Sequence, residues 1–413
     1  MTNIAKKEKG SKMEALEKHL LQTYKFRYNT IENSIERDKK GKWDQVHEPN
    51  VFVEVNKNHA PTSKDYLATT VLSHYVSPPH NPIKAYFESL KLDNYKDKLP
   101  HKVKDLDPIV QLIRFILLED ESEEEALRFY KALRNWLVAS IRCALEPKYV
   151  NKHVLTLQGV SGIGKSPFCE FITPPALDKY FKDLKSIAVT NKDNVITLTT
   201  NFLIVFEELD KFFKNPQNRD PFKAFVSTSR IKERLPWGRT EVYRQRCCSF
   251  LATCNETTFL NDPTGTQRFV VFSIKNFINK KYFDFKPPKG QFTIEDFPVD
   301  SLWAFAYQLY KSGKNYEYTA SELELNEEKN EKYKYNTPEF ETIGNYLAVP
   351  KPGDEVEWLT TTEICKYIND NEGVNGVKFK NVTLGKALRR LEFKNSAKRV
   401  NGIVKWGYLI KKV

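Results

Sequence analysis

The chain has 413 residues, 40% hydrophobic and 29% charged, with a formal net charge of +12. Two or three folded units fit that length. It has no run of about 18 apolar residues such as a membrane span needs, and no apolar segment follows the charges of Met1–Gly10, so the expectation is a protein of the bacterial cytosol, cytoplasmic and without a membrane partner. Its six cysteines (Cys143, Cys169, Cys247, Cys248, Cys254, Cys365) form no C-x-x-C pair and no zinc-type spacing, which points to reduced thiols.

In chain order, residues 1–11 read as a disordered start and Lys12 to Leu21 as a helix. The stretch from Tyr24 to about Val53 alternates like short strands around Lys39-Lys-Gly41. Thr62 to Val76 and Pro82 to Leu90 read as helices, separated by the breaker-rich Ser77-Pro-Pro-His-Asn-Pro82. Glu121 to Leu145 has acids in its first turn and Leu133, Trp136, Leu137 and Ile141 on one face, the pattern of an amphipathic helix. These segments make an α-rich accessory region, 1–80, and a helical collar, 81–146.

From 147 to 312 strands and helices alternate, the order of a parallel α/β sheet that binds its ligand at the carboxyl ends of its strands. Near the start, Gly159-Val-Ser-Gly162-Ile-Gly164-Lys165-Ser166 fits the phosphate-binding template G-x-x-x-x-G-K-[ST]. Glycines let successive backbone N–H groups converge on phosphate oxygens, Lys165 neutralises β/γ charge, and Ser166 offers a hydroxyl to Mg²⁺. Val154–Leu157 before it reads as a buried strand and Phe168–Ile172 after it as the body of a helix whose positive end faces the loop. The competing reading is a glycine-rich turn that matches by chance.

About forty residues on, the apolar run Phe202–Phe206 ends in Glu207-Glu208, one acid to hold Mg²⁺ through water and one to polarise an attacking water. Cys248–Cys254 is a third buried strand, ending in Asn255, whose amide suits a place between those acids and the terminal phosphate. Between them Arg230–Arg246 holds six basic residues against Glu233 and Glu241, with Trp237-Gly238 at the expected tip of a hairpin. Lys232, Arg234 and Arg239 for phosphates and Trp237 for a base would suit a single nucleic-acid strand. Beyond Asn255, the turn Asp262-Pro-Thr-Gly-Thr-Gln-Arg268 fixes an arginine fit to stabilise transition-state charge, in cis or in a neighbour's site.

Residues 313–352 are acid-rich and read as a helix plus linker, and 353–413 as a winged helix. Thr360-x-x-Glu363 is a capping box that opens one helix. Val382 to Leu391 forms a second, carrying Lys386, Arg389 and Arg390, and Lys398, Arg399 and Lys405 flank an Asn401-Gly402 hairpin turn. The last 36 residues hold eleven Lys/Arg and one acid, Glu392, which favours duplex DNA as the partner over a merely solvated basic face.

These residues together resemble the virulence-associated protein E family, ring-forming ATPases of phages, plasmids and mobile islands allied to superfamily 3 DNA helicases and island replication initiators. The resemblance runs from Asn81-Pro82 through Trp136–Ala139, the phosphate loop, Asn191-Lys-Asp193, Glu207-Glu-Leu-Asp210 and Arg234-Leu-Pro-Trp-Gly-Arg239 to Thr253-Cys-Asn255 and Phe259–Phe269. It implies an AAA+-like P-loop core, ATP with Mg²⁺, and a homo-oligomer, a hexamer, with single-stranded DNA in its pore. By motif match Gly159, Gly162, Gly164, Lys165 and Ser166 bind the triphosphate, and Ser166 and Glu207 the Mg²⁺. Glu207 and Glu208 do the acid work, Asn255 is the polar sensor and Arg268 the finger. The chain departs from the family pattern in Pro167 after Ser166, in Glu for Asp at the first acid, which leaves Asp210 a lesser candidate for metal contact, and in Gln267-Arg268 where two arginines are usual. Whether Arg268, Arg246 or Arg244 reaches an adjacent subunit is open at this point. The expected function is an ATP-dependent DNA helicase or replication initiator. The alternative is an ATP-switched DNA-binding regulator or loading factor that does not unwind.

Overall fold

The computed structural model describes residues 12–96, 107–184, 192–214, 219–234, 241–260, 266–278, 294–334, 338–371, 379–391, 393–400 and 402–413. The chain divides into two compact units, Met1–Asn255 with Gln267–Leu323, and Glu256–Thr266 with Glu324–Val413.

The first unit begins with a helix, Lys12–Thr23, and a small sheet ordered Lys42–Gln45, Ser34–Lys39, Phe26–Asn29, Pro79–His80. Helices Glu48–Asn58 and Lys64–Leu72 close over it, burying Leu16, Leu20, Phe26, Val51, Val55, Leu67 and Val71. The strand-like pattern read as far as Val53 thus stops at Gln45. Pro49 in the first turn suits a helix start, and Val51 and Val55, four apart, form its buried stripe. The region read as a helical collar also contributes a strand, Ile116–Leu118, that pairs antiparallel on the edge of the main sheet.

That main sheet has six strands in the order Ile116–Leu118, Phe269–Phe277, Val154–Gln158, Ser249–Cys254, Leu203–Phe206, Phe181–Leu184. All neighbours except the first pair are parallel. Val154–Gln158, Leu203–Phe206 and Ser249–Cys254 are buried at every position, as strands covered on both faces must be. The long helix Glu123–Leu145, with Ser122 capping the Glu125 N–H, is pinned to the sheet by Trp136, whose indole N–H donates to the Phe250 carbonyl at 2.9 Å. Trp303 of helix Val299–Lys311 donates likewise to the Ile172 carbonyl at 2.8 Å and packs edge-on against Phe87 and Phe202.

The second unit is built on Pro338–Tyr346, Thr361–Asn371 and Asn381–Arg390, three helices against a sheet dominated by the strand Ile403–Lys412. Its core gathers Ile343, Leu347, Ile364, Ile368, Leu384, Leu388, Tyr408 and Ile410. The capping box forms in both directions: the Glu363 N–H donates to Thr360 Oγ1 at 3.3 Å and the Thr360 N–H to Glu363 Oε2 at 2.8 Å. The Thr360 N–H, and then its hydroxyl at 2.7 Å, donate to the Glu363 carboxylate and hold it below its ordinary pKa. Among the described residues no helix is long and apolar enough to cross a membrane.

Candidate functional site

The glycine loop leaves the carboxyl end of the loop strand, Val154–Gln158, and turns into helix Lys165–Phe171. Gly162 and Gly164 take φ of +82° and +105°, which a side chain resists. A Cβ on Gly159 would strike the Ile274 carbonyl and Ile163 Cδ1, so close packing also demands glycine there. Pro167 costs the helix nothing, because its first intrahelical bond is the one after it, from the Phe168 N–H to the Gly164 carbonyl at 3.0 Å. Ser166 sits half-buried in that first turn.

Lys165 is only 5% exposed. Its ammonium donates to the Gly159 carbonyl at 2.6 Å, the Val160 carbonyl at 2.8 Å and Asn255 Oδ1 at 3.0 Å. Burial lowers its pKa, opposed by nearby groups that include Asp210. All three donors of this ammonium are taken by neutral oxygens, and among the described residues no acid is in ion-pair contact with it, so an anion arriving here would exchange for one of those acceptors.

Strand order explains how Asn255 comes to be there. The asparagine strand, Ser249–Cys254, lies between the loop strand and the acid strand, Leu203–Phe206. The residue that follows it therefore stands between Lys165 and the acids. Glu207 and Glu208 follow the acid strand at the same edge, both half-buried, and Glu207 is close enough to Cys169 to add to the burial that raises that thiol's pKa. Glu208 adopts φ +52°, a left-handed conformation that a non-glycine residue holds only under constraint. Its N–H donates to Thr253 Oγ1 at 3.4 Å, and its carboxylate bridges to Lys211 at 2.6 Å. Asp210 is the most enclosed of these three acids, 2% exposed, accepting the Asn255 N–H at 3.1 Å. In the sequence Asp210 is the least conspicuous of the three; its signal is its place one turn after Glu207 in Glu-Glu-Leu-Asp.

Arg268 stands at the other end. Its carbonyl accepts the Val154 N–H at 2.7 Å, at the amino end of the loop strand, while the Gly159 N–H bonds to the Cys254 carbonyl at the carboxyl end. The side chain donates to Ser227 Oγ at 3.3 Å. Arg268 is thus separated from Lys165 of its own chain by the length of the strand. The two other arginines are committed elsewhere. Arg246 is wholly buried and donates to the carbonyls of Cys248 at 2.9 Å, Asn151 at 2.6 Å and Val226. Arg244 donates to the carbonyls of Ile31 at 2.5 Å and Thr199 at 3.0 Å.

The basic hairpin forms from Arg230–Arg234 and Glu241–Gln245, antiparallel. Lys232 is ion-paired with Glu241 at 2.5 Å, which offsets the positive charge read there. Trp237 and Arg239 lie outside the described residues, as do Asn191 and residues 261–265, and the Arg234 side chain is not described. In the second unit Arg389 is exposed on helix Asn381–Arg390, which also carries Lys386 and Arg390, whose side chains are not described. Lys398, Arg399 and Lys405 are exposed on the hairpin of Asn395–Val400 and Ile403–Lys412, whose turn residue Asn401 lies outside the described residues.

Fold and site define a mixed α/β protein whose charged and polar groups gather around a buried lysine at the carboxyl ends of parallel strands. The chain belongs to the virulence-associated protein E-like family, whose domain matches residues 115–335. Among solved structures it is similar to the apo structure of the NrS-1 C-terminal region, at 12% identity and a TM-score of 0.48 over 95% of this chain and 98% of that one. Two A-form apo structures of the same region match at 12% identity, with TM-scores of 0.46 over 96% of this chain and 99% of that one, and 0.47 over 98% and 100%. No curated protein matches the sequence.

Proposed function

We propose that the chain is an ATP-dependent DNA helicase of the replication-initiator type, encoded by a phage, plasmid or mobile island and acting in the cytosol as a ring, a hexamer, with an AAA+-like P-loop core. The observation that carries this reading is the buried Lys165 between the glycine loop and Asn255, with acids following the next strand. Family membership supports it. ATP is the substrate in this reading; Ser166 and Glu207 are the residues that would hold Mg²⁺, which would supply charge neutralisation.

In this reading the loop N–H groups and Lys165 take the triphosphate, Lys165 giving up its carbonyl partners for phosphate oxygens. Glu208 leaves Lys211 to accept the proton of the attacking water, and Asn255 orients that water. Asp210 fixes the Asn255 backbone. Arg268 serves the site of the adjacent subunit, since its own loop is a strand's length away. The hairpin residues Lys232, Arg234, Trp237 and Arg239 take single-stranded DNA in the pore. The C-terminal unit, as a winged helix, takes duplex through Lys386, Arg389, Arg390, Lys398, Arg399 and Lys405.

Strand separation on a forked DNA, run for the wild-type chain and Glu208→Gln, tests it. Expected are ATP-dependent unwinding by the first, and assembly and nucleotide binding without unwinding by the second. ATP hydrolysis by assembled rings that never separate strands overturns the helicase reading in favour of an ATP-switched regulator or loading factor.

A further inference from the structure

The core-facing side of one strand in the C-terminal unit continues past the core. In Ile403–Lys412, Tyr408 and Ile410 are enclosed among residues that include Leu384 and Leu388 of the basic helix. The period of two puts Trp406 and Val404 on that same side, yet they are 64% and 59% exposed. Pairing explains why. Glu357–Thr360 flanks this strand only from Gly407 to Ile410, whereas Asn395–Val400 follows it from Ile403 to Tyr408. Beyond Gly407, then, a two-stranded ribbon projects. Gly407 marks the departure: a Cβ there would strike the Leu359 carbonyl and the Trp358 ring, so Trp358 covers the opposite side. Trp358 is fixed by a bond to Ser396 Oγ at 3.0 Å, while the Trp406 face stands open.

The surroundings select what would cover that face. Residues 394–406 hold Lys394, Lys398, Arg399 and Lys405 and no acid; Arg399, paired with Val404, stands on the open side, and Lys398, over the Trp358 ring, and its partner Lys405 stand on the other. A second copy of so basic a ribbon would be repelled. A nucleic acid offers both complements, phosphates for the cations and aromatic faces for the indole. In an intact duplex the base faces are already stacked on one another, so a protruding indole with an aliphatic neighbour suits an unpaired or unstacked base.

We propose that Trp406, backed by Val404, is a stacking platform for an unpaired base, and that the C-terminal ribbon holds the junction at which a DNA duplex opens. This rests on the reading of the C-terminal unit as a DNA-binding unit and adds the part of the DNA it selects. Arg399, paired opposite Val404, flanks the stacked base on the same side, and Lys398 and Lys405, on the Trp358 side, take phosphates that pass round the edge of the ribbon.

The test uses the full chain, Trp406→Ala and Trp406→Phe, with binding measured at one fixed salt concentration on a forked DNA, a blunt duplex of the same sequence and the single strand. A fluorescent adenine analogue at the fork reports stacking. Trp406→Ala should lose about tenfold in affinity for the fork, in keeping with the loss of one stacked base, and less than twofold for the blunt duplex. Trp406→Phe should retain most of the fork affinity, and only ring-bearing chains should quench the analogue. Equal losses on fork and duplex, or no loss on the fork, overturn the proposal. So does a Trp406→Ala chain that binds every DNA normally but no longer assembles, because the indole would then serve a second copy. Lys398→Ala with Arg399→Ala separates this from the underlying reading: it should weaken all three complexes and flatten their salt dependence. A wild-type chain with no affinity for any of these DNAs would sink the DNA-binding reading itself.

Discussion

If Arg268 acts in the neighbouring subunit, two inactive variants should restore one another. The loop strand separates Arg268 from Gly159 by five residues, about 16 Å at roughly 3.3 Å per residue. That exceeds the span of an arginine side chain, and the bond to Ser227 holds this one at its own edge. A working site then needs Lys165 from one subunit and Arg268 from the next. Rings of Arg268→Ala alone should lose about 10³-fold or more in turnover, the scale of a missing finger. Rings of Lys165→Ala should fail to bind nucleotide. In an equal mixture assembled at random, half the subunits supply a sound loop and half a sound arginine, so about a quarter of the interfaces are complete. Steady-state ATP hydrolysis in rings shown by mass to contain both chains should therefore return to about a quarter of the wild-type rate. Mixed rings no more active than the variants alone would refute the reasoning, as would undiminished turnover in Arg268→Ala.

Two further outcomes follow from buried groups. Arg246→Met leaves three buried carbonyls without their donor and should cost on the order of 3 kcal/mol or more in chemical denaturation; a variant of normal stability that has lost only ATP turnover would restore Arg246 as the finger. Burial, then the charges of Lys152 and Arg268, push the His153 pKa down to about 4. The folded state thus keeps this ring neutral, and its contribution to stability is complete above the ordinary histidine pKa of about 6.5 and fades as pH falls towards 4. Unfolding free energy should drop by about 2 kcal/mol from this group between pH 7.5 and 5, and His153→Phe should remove that part of the slope. An unchanged slope in the variant would contradict the assignment.

The sequence was most legible where a single backbone rule governs several residues. The positive φ of Gly162 and Gly164, the reciprocal capping box at Thr360 and Glu363, and the antiparallel pairing of Asn395–Val400 with Ile403–Lys412 all follow from local chemistry. The three buried strands were legible as apolar runs, and the order that sets Ser249–Cys254 between the other two delivers Asn255 to Lys165. What local pattern could not convey was partnership at a distance. Glu48–Asn58 looks strand-like because its valines and phenylalanine are β-prone, and Pro49 and the spacing of Val51 and Val55 tip it to helix once a core with Leu16 and Leu67 is there to bury them. Arg244 and Arg246 look alike on paper as two cations on one hairpin strand; which carbonyls surround them is tertiary information. Asp210 suffered in the same way, its burial invisible beside two adjacent acids.

The commitment of those two arginines has a mechanical consequence. Arg244 ties the second hairpin strand to the carbonyls of Ile31 and Thr199, and Arg246, next but one along the chain, ties its root to Val226 and Asn151. Four separate segments of the first unit thereby hold the hairpin's base. A ribbon clamped so firmly at its root bends little there, so a load on its described strands is carried into the sheet. In the proposed ring, any stroke of the hairpin would then be a rigid tilt of the first unit, with its sheet as the lever arm.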